Sequence, residues 1–443
     1  MQLLKKNIVF FKVNDNPVEY MLINTLNGIV EILTADEAKT VIAWANKGID
    51  IEQQKKENTL FNTLLQHHFF VKDDTEEKIL RDNIIKRCVD AHEKKQLKTN
   101  IAVFIPTYSC NFSCPYCFED KVKDTAIMTQ EMVDKVLLEQ EDNLQIVGLF
   151  GGEPFLPETY DIIKYILGRV NNKRIFAVTN GFYLNRFIPI LSKMQVDYIQ
   201  VTLDGFKELH DKMRVLVNGG GTFDIIFNNI TEALHAHIPI KIRMNITPHN
   251  MEQCLRLRAY LSEYYKDCAK LLTFELQPLF QIPKSKANAL EQHLLYSEDC
   301  FCAQDAYAMN GIRKTLSPLI KLVSGMEKSL HPVVCGCGES CSMLFYDSYG
   351  DIYSCVRSVG KKNLSVGTFF PKNTKKDNSL FVRNINTIPA CQNCALALLC
   401  GGGCGYAVSS TDGDVNNPNC SSIVNELNVI IPSIYSKAKH QKK

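Results

Sequence analysis

From residue 98 onward, short apolar runs alternate with amphipathic stretches. IAVFIP, QIVGLF, IFAVTN, YIQVTLD, IKIRMNI and LTFELQP predict six strands, with helices such as TQEMVDKVLLEQ and DIIKYILGRV between them. Strand and helix in alternation imply parallel strands joined by right-handed crossovers. The expected fold class is α/β, and six strands in this span favour a partial or complete barrel over an open doubly wound sheet. Ahead of them, NIVFFKV, EYMLINT and GIVEILT predict three strands separated by Asn-rich or Asn-Gly turns. The stretch TADEAKTVIAWANKG then predicts a helix with Thr34 as N-cap, acids in its first turn and Gly48 as its stop. LFNTLLQHHFFV reads as a last helix running into a strand, and EEKILRDNIIKRCVDAHEKKQ as a charged connector helix.

Composition narrows the class. Of 443 residues, 45% are hydrophobic and 22% charged, which excludes a disordered chain or a collagen. The net charge of +2 supplies no field for a nucleic acid. No apolar run reaches the roughly 20 residues of a membrane span, and Lys12 and Asp15 interrupt the amino-terminal run, so a cytoplasmic protein without membrane partner is expected. Seventeen cysteines in such a chain sit in a reducing compartment and read as metal ligands or reactive thiols. They cluster. Cys110, Cys114 and Cys117 form a triplet, and a dense group runs from Cys335 to Cys420.

The triplet has the spacing C-x3-C-x2-C in the loop after the first strand of the alternation, at the strand end where barrel enzymes keep their active sites. Three thiolates this close can hold three irons of a cubane cluster and leave the fourth without a protein ligand. A zinc site is the alternative, although structural zinc asks for four ligands. Gly151-Gly152-Glu153-Pro154 follows the next strand, where glycines let backbone approach a ligand and a carboxylate can accept from an ammonium. Later strand ends carry Thr179-Asn180-Gly181, Asp204-Gly205 and Asn245, which together ring one mouth of a barrel.

With Tyr116 before the last cysteine, the loop and the GGEP segment resemble the two most telling motifs of the radical S-adenosylmethionine (SAM) enzymes. The resemblance implies a [4Fe–4S] cluster on Cys110, Cys114 and Cys117, with SAM chelating the open iron. It also implies Gly152 and Glu153 at the methionine ammonium, the Tyr116 backbone at the adenine, Thr179, Asn180 and Asn245 near the ribose or methionine end, and Gly151 and Asp204 among the cofactor-binding residues. The segment LDGFKELHDKMR resembles the family's LDG…HD…R run, which would bring Arg214 to the SAM carboxylate, although His210 and Arg214 also read as a helix-surface pair.

Cys391, Cys394, Cys400 and Cys404 give C-x2-C-x5-C-x3-C, followed by Cys420 and preceded by Cys335, Cys337, Cys341 and Cys355. This pattern resembles the SPASM domain, which carries two auxiliary [4Fe–4S] clusters in radical SAM maturases of peptides and proteins. The resemblance implies one cluster on Cys335, Cys341, Cys355 and Cys404, and another on Cys391, Cys394, Cys400 and Cys420. Cys337 is a departure, a spare thiol or an alternative ligand. Cys88, Cys254, Cys268, Cys300 and Cys302 receive no role.

The expected organisation is a winged-helix-like peptide-recognition domain over 1–75, a linker helix over 76–97, and a partial (β/α)6 radical SAM barrel over 98–310. A bridging segment over 311–334, a SPASM domain over 335–425 and a frayed tail over 426–443 complete it. Three clusters and SAM are then the cofactors, a precursor peptide with a leader is the substrate, and flavodoxin or ferredoxin is the reductant. Thioether formation from Cys through a 5′-deoxyadenosyl radical is the leading expectation. Carbon–carbon crosslinking, formylglycine formation on a sulfatase, small-molecule chemistry and a non-enzymatic electron carrier are the alternatives. Val356 stands after Cys355 where sulfatase maturases usually carry Asp, so the general base is unassigned; Asp351, Glu275 and Arg357 are candidates.

Overall fold

The structure, a computed structural model, describes residues 2–47, 49, 58–96, 100–119, 124–247, 250–278, 332–335, 343–376, 383–411, 414, 416–420, 427–428, 431–432, 434–436 and 439. Gly48, Cys300, Cys302, Cys337 and Cys341 lie outside the described residues. The chain divides into two compact units, one of Met1–Lys95, Ile312–Gly338 and Val382–Lys443, the other of Gln96–Gly311 and Glu339–Phe381.

In the first unit, β1 (Gln2–Leu3) pairs with β5 (Phe70–Val71), while β2 (Ile8–Asp15), β3 (Val18–Asn24) and β4 (Val30–Thr34) form an antiparallel sheet. Helices α1 (Ala35–Lys47) and α2 (Thr59–Gln66) follow, in the order expected. Thr34 caps α1: its Oγ1 accepts from the Glu37 N–H, and the Glu37 carboxylate accepts in return from the Thr34 N–H at 2.8 Å, a capping box. Trp44, Phe61 and Phe70 pack together beneath the sheet. The connector is α3 (Asp74–Gln96). The carboxyl-terminal residues Tyr435 and Lys439 bond the Glu19 carboxylate on β3, so the segment expected to fray has an anchor.

In the second unit, the six expected strands are β6 (Ile101–Ile105), β7 (Ile146–Leu149), β8 (Arg174–Thr179), β9 (Gln195–Thr202), β10 (Ile240–Ile246) and β11 (Leu272–Pro278). They lie side by side in chain order, all parallel. The helices between them are α4 (Gln130–Gln140), α5 (Tyr160–Arg169), α6 (Leu184–Leu191), α7 (Lys207–Met213), α8 (Phe223–His235) and α9 (Met251–Tyr264). One face of the sheet packs Ala102, Phe104, Val147, Ile175 and Val201 against these helices; Val103, Ile105 and Phe176 pack on the other face. Burial on both faces is why these strands read as continuous apolar runs rather than alternating ones. A seventh parallel strand, β12 (Met343–Asp347), joins the free edge of β6, and β13 (Asp351–Tyr353), β14 (Gly367–Thr368) and β15 (Thr374–Lys375) continue the sheet antiparallel. Nothing in the apolar pattern announces that β12 belongs beside β6, since their pairing spans more than 200 residues of chain. No helix among the described residues is long and apolar enough to cross a membrane.

Candidate active site and cysteine centres

Parallel strands in chain order bring their carboxyl ends together, so the loops after β6, β7, β8 and β9 and the end of β10 share one rim. The cysteine loop after β6 is laced to the segment after α7 by Ser113 N–H to Val215 O at 2.8 Å and Val217 N–H to Asn111 O at 3.0 Å. After β7, the backbone of Gly152 runs so close to the Tyr108 and Ser109 carbonyls that a Cβ would collide with both. Only glycine lets the GGEP turn lie against the cysteine loop.

Glu153 is buried, and its carboxylate organises this rim. Oε1 accepts from Phe155 N–H at 2.8 Å and the Thr179 hydroxyl at 2.5 Å, and Oε2 accepts from Asn180 N–H at 2.6 Å. Burial raises its pKa, against the pull of the Asn180, Thr179 and Phe155 hydrogen bonds and of Arg214. Oε1 thus has two donors; Oε2 has one, with capacity for a second. Asn180 turns its side-chain amide to Asn111 Oδ1 at 2.8 Å and faces Cys110 Sγ at 3.9 Å.

A second buried group centres on Tyr116. Its hydroxyl donates to Asp204 and accepts from Arg214 at 3.0 Å, with Asn245 Nδ2 at 3.4 Å. Asp204 Oδ1 accepts from Asn245 N–H at 2.9 Å. Arg214 lies over the Phe112 ring, and burial, which alone would lower its pKa, is outweighed by Tyr116, Cys114 and Asp204, so it stays a cation. The helix-surface reading of His210 and Arg214 does not hold: both are buried. Burial and Arg214 push the His210 pKa down to about 3, which leaves a neutral ring bonded between Asp204 N–H and the Thr222 hydroxyl.

The structure therefore brings Tyr116, Asp204, Arg214 and Asn245 into one network, and Gly152, Glu153, Thr179 and Asn180 into another beside Cys110. Burial, aided by Glu153, pushes the Cys110 thiol up to about 12, while the Phe112 N–H points at its sulfur from 3.4 Å. A thiol in that setting ionises when a metal takes the proton's place. Among the described residues no three His, Cys, Asp or Glu side chains gather around one metal-ion position. Asn111 Nδ2 and Arg214 Nε are buried with no hydrogen-bond partner. These two donors and the spare capacity of Glu153 fit a ligand that brings both a carboxylate and an ammonium, as SAM does.

Sequence reasoning missed Asp347. It ends β12 at the same rim and accepts from the Tyr108 hydroxyl at 2.8 Å, Tyr349 N–H at 3.0 Å and Asp351 N–H at 2.8 Å. Burial lifts its pKa to about 6, with Asp351 adding to the rise against those hydrogen bonds. A carboxyl raised in the folded state favours folding while protonated, and that contribution is lost as pH climbs from about 4 toward about 6. Asp347→Asn keeps the shape and lets Tyr108 accept from the amide. The urea midpoint of this variant should fall less between those pH values than that of the parent protein. Of the base candidates, Asp351 is buried with Lys376 at 3.9 Å, and Glu275 faces Arg243 at 3.9 Å.

In the first unit, Cys391, Cys394, Cys400 and Cys420 act on one another electrostatically, and burial followed by these neighbours pushes the Cys391 thiol up to about 11. Gly401, Gly402 and Gly403 all take positive φ, at 65°, 80° and 72°, so the chain can curl between Cys400 and Cys404. Arg383 is buried and donates to the Gly402, Gly403 and Asn417 carbonyls at 2.7–2.9 Å. Neither Arg383 nor Arg81, which bonds the Cys391 and Cys394 carbonyls, carries a sequence signal. Cys335 and Cys404 lie in this unit and Cys355 in the other.

Residues 104–261 match the family model of the radical SAM superfamily. The chain carries a radical SAM enzyme domain. That domain implies a [4Fe–4S] cluster and SAM. A GTP 3′,8-cyclase of Clostridium perfringens is 29% identical over 187 residues, 41% of this chain and 56% of that protein. The chain thus spans about half the length of this curated relative. Among solved structures, anSMEcpe with bound AdoMet superposes with a TM-score of 0.59 at 17% identity, covering 76% of this chain and 99% of that one. Streptococcus suis SuiB bound to precursor peptide SuiA gives 0.53 at 17% identity, covering 95% of this chain and 99% of that one. At these identities the likeness is one of fold, and for SuiB it runs along nearly the whole chain.

Proposed function

We propose that this radical SAM enzyme modifies a ribosomally made peptide, forming thioethers from Cys. The observation that carries the reading is the fold shared with SuiB over 95% of the chain. SuiB binds a precursor peptide, and the three-stranded front sheet of this chain offers edges to which a leader could add a strand. When bound, the cluster on Cys110, Cys114 and Cys117 would supply one electron to SAM and so generate the 5′-deoxyadenosyl radical. The chain's own part is to hold SAM: Glu153 Oε2 takes the ammonium, Arg214 the carboxylate, and Gly152 admits the backbone approach. Cys391, Cys394, Cys400 and Cys420 would hold one auxiliary cluster and Cys335, Cys341, Cys355 and Cys404 another, three in all. A flavodoxin or ferredoxin would supply the electrons.

Thioether formation removes two hydrogens, so each event lowers peptide mass by about two units and consumes one alkylatable thiol. Anaerobic co-expression with a cysteine-containing precursor peptide, read by intact mass and thiol alkylation, tests this. The same mass loss with every thiol reactive would instead indicate a carbon–carbon crosslink. The cyclase relative favours a second reading, a small-molecule substrate, but its match covers only 41% of the chain. Assaying the intact chain on the precursor with and without its leader separates the two: a leader-dependent maturase loses most of its activity on the leaderless peptide, and a small-molecule enzyme modifies neither.

A further inference from the structure

The connector helix α3 carries Glu77 and Arg81, four residues apart and therefore on one face. Both are buried, as is Asn7 in the turn between β1 and β2; the three are 3%, 4% and 1% exposed. Charged groups this deep persist only with their hydrogen bonds filled, and here each bond reaches a different part of the unit. Glu77 accepts from Lys5 N–H at 3.0 Å, Lys6 N–H at 2.8 Å and Asn7 Nδ2 at 2.8 Å. Asn7 Oδ1 in turn accepts from Arg81 at 2.9 Å, and the Asn7 carbonyl accepts from the N–H and hydroxyl of Thr25, just past β3. The same Arg81 guanidinium donates to the Cys391 carbonyl at 2.7 Å and the Cys394 carbonyl at 3.2 Å. Beneath it, Ile85 packs with Ile385, Ile388, Cys391 and Leu398, and Lys6 reaches Asn393 at 3.0 Å. One buried path of hydrogen bonds thus runs from the backbone of two cysteines to the turn that starts the front sheet.

We propose that Arg81 is a positioning residue that sets the backbone of Cys391 and Cys394, and that through it metal loading of the second cysteine set and the order of the front sheet are coupled. The proposal rests on the assignment of iron to Cys391, Cys394, Cys400 and Cys420 made above. A guanidinium fork fixes two carbonyls at once, and a loop clamped in this way has few arrangements. Iron on the four thiols favours one of them, and whatever stabilises that arrangement stabilises the partners of Arg81. Such coupling is reciprocal, so a peptide that orders the front sheet would in turn tighten the cysteine loop. The consequence for the enzyme is that its peptide sheet is fully ordered only when this cysteine set is loaded.

The test is hydrogen exchange of the full chain under anaerobic conditions, before and after reconstitution with iron and sulfide. Alkylation of Cys391 and Cys394 is followed in the same samples. Loading is expected to slow exchange over residues 5–25 about tenfold and to protect both thiols. In Arg81→Lys, which keeps the charge without the fork, and in Arg81→Met, the slowing should fall below about twofold. Unchanged protection of α1 and α2, which lie in the same unit but off this path, will show that the variants remain folded. Protected thiols with identical exchange before and after loading would overturn the coupling and leave the iron assignment standing. Thiols that stay reactive after loading would overturn the iron assignment, and the coupling with it. Slowing that survives in both variants would remove Arg81 from the path.

Discussion

Glu153→Gln should weaken SAM binding by about tenfold to a hundredfold, because a hydrogen bond to a charged group contributes roughly 1.5–3 kcal/mol. All three groups that face the Glu153 carboxylate are donors: Phe155 N–H, the Thr179 hydroxyl and Asn180 N–H. Whichever way a glutamine amide is turned, its NH2 meets one of the two backbone N–H groups. One arrangement sets it against Asn180 N–H; the other sets it against Phe155 N–H and the Thr179 hydroxyl, whose oxygen already accepts from Gly181 N–H at 3.0 Å. A buried donor is left unpaired in either case, at about 1–3 kcal/mol. The negative charge that would receive the methionine ammonium is also gone. Equilibrium dialysis of SAM against the iron-loaded protein, with a melting curve on the same sample, reads both effects. Unchanged affinity with a lower melting temperature would reduce Glu153 to a structural role.

Arg383→Met should be the most damaging single change in the first unit, with a loss of about 3 kcal/mol or more. Arg383 is 2% exposed and its fork holds the Gly402, Gly403 and Asn417 carbonyls. Methionine fills part of the volume but donates to none of them. Gly402 and Gly403 sit in left-handed backbone between Cys400 and Cys404, so releasing their carbonyls frees the curl that sets the spacing of the two thiols. The variant should unfold at lower denaturant in the first unit and show Cys400 and Cys420 as alkylatable after iron reconstitution. The triplet at Cys110, Cys114 and Cys117, held in the other unit, should stay protected. Equal protection at all five thiols would show that the curl forms without Arg383.

Local patterns reach a long way in this chain. The six parallel strands are legible because burial on both faces demands runs of apolar residues, and IAVFIP or IKIRMNI can hardly be anything else. Thr34 and Glu37 announce a helix start through side chains three residues apart, and the structure shows the bonds. The cysteine spacing and the GGEP turn point to the rim because the loops that form it directly follow their strands in the chain. Expectations drawn from helical spacing did less well: His210 and Arg214 are four apart yet both are buried, since α7 ends at Met213 and Arg214 turns inward toward Tyr116.

What the sequence by itself determined is the order of strands and helices, the rim that gathers the candidate residues, and the spacing of the cysteines, all of them features carried by residues near one another. What only the tertiary structure decided is which distant groups meet. Asp347 reaches Tyr108 across 239 positions, and Arg81 reaches Cys391 across 310. A lone arginine or aspartate has no period and no spacing partner, so its sequence neighbours carry no sign of its role. The role arises when burial removes water and the nearest carbonyls or hydroxyls, supplied by remote chain, become its only partners.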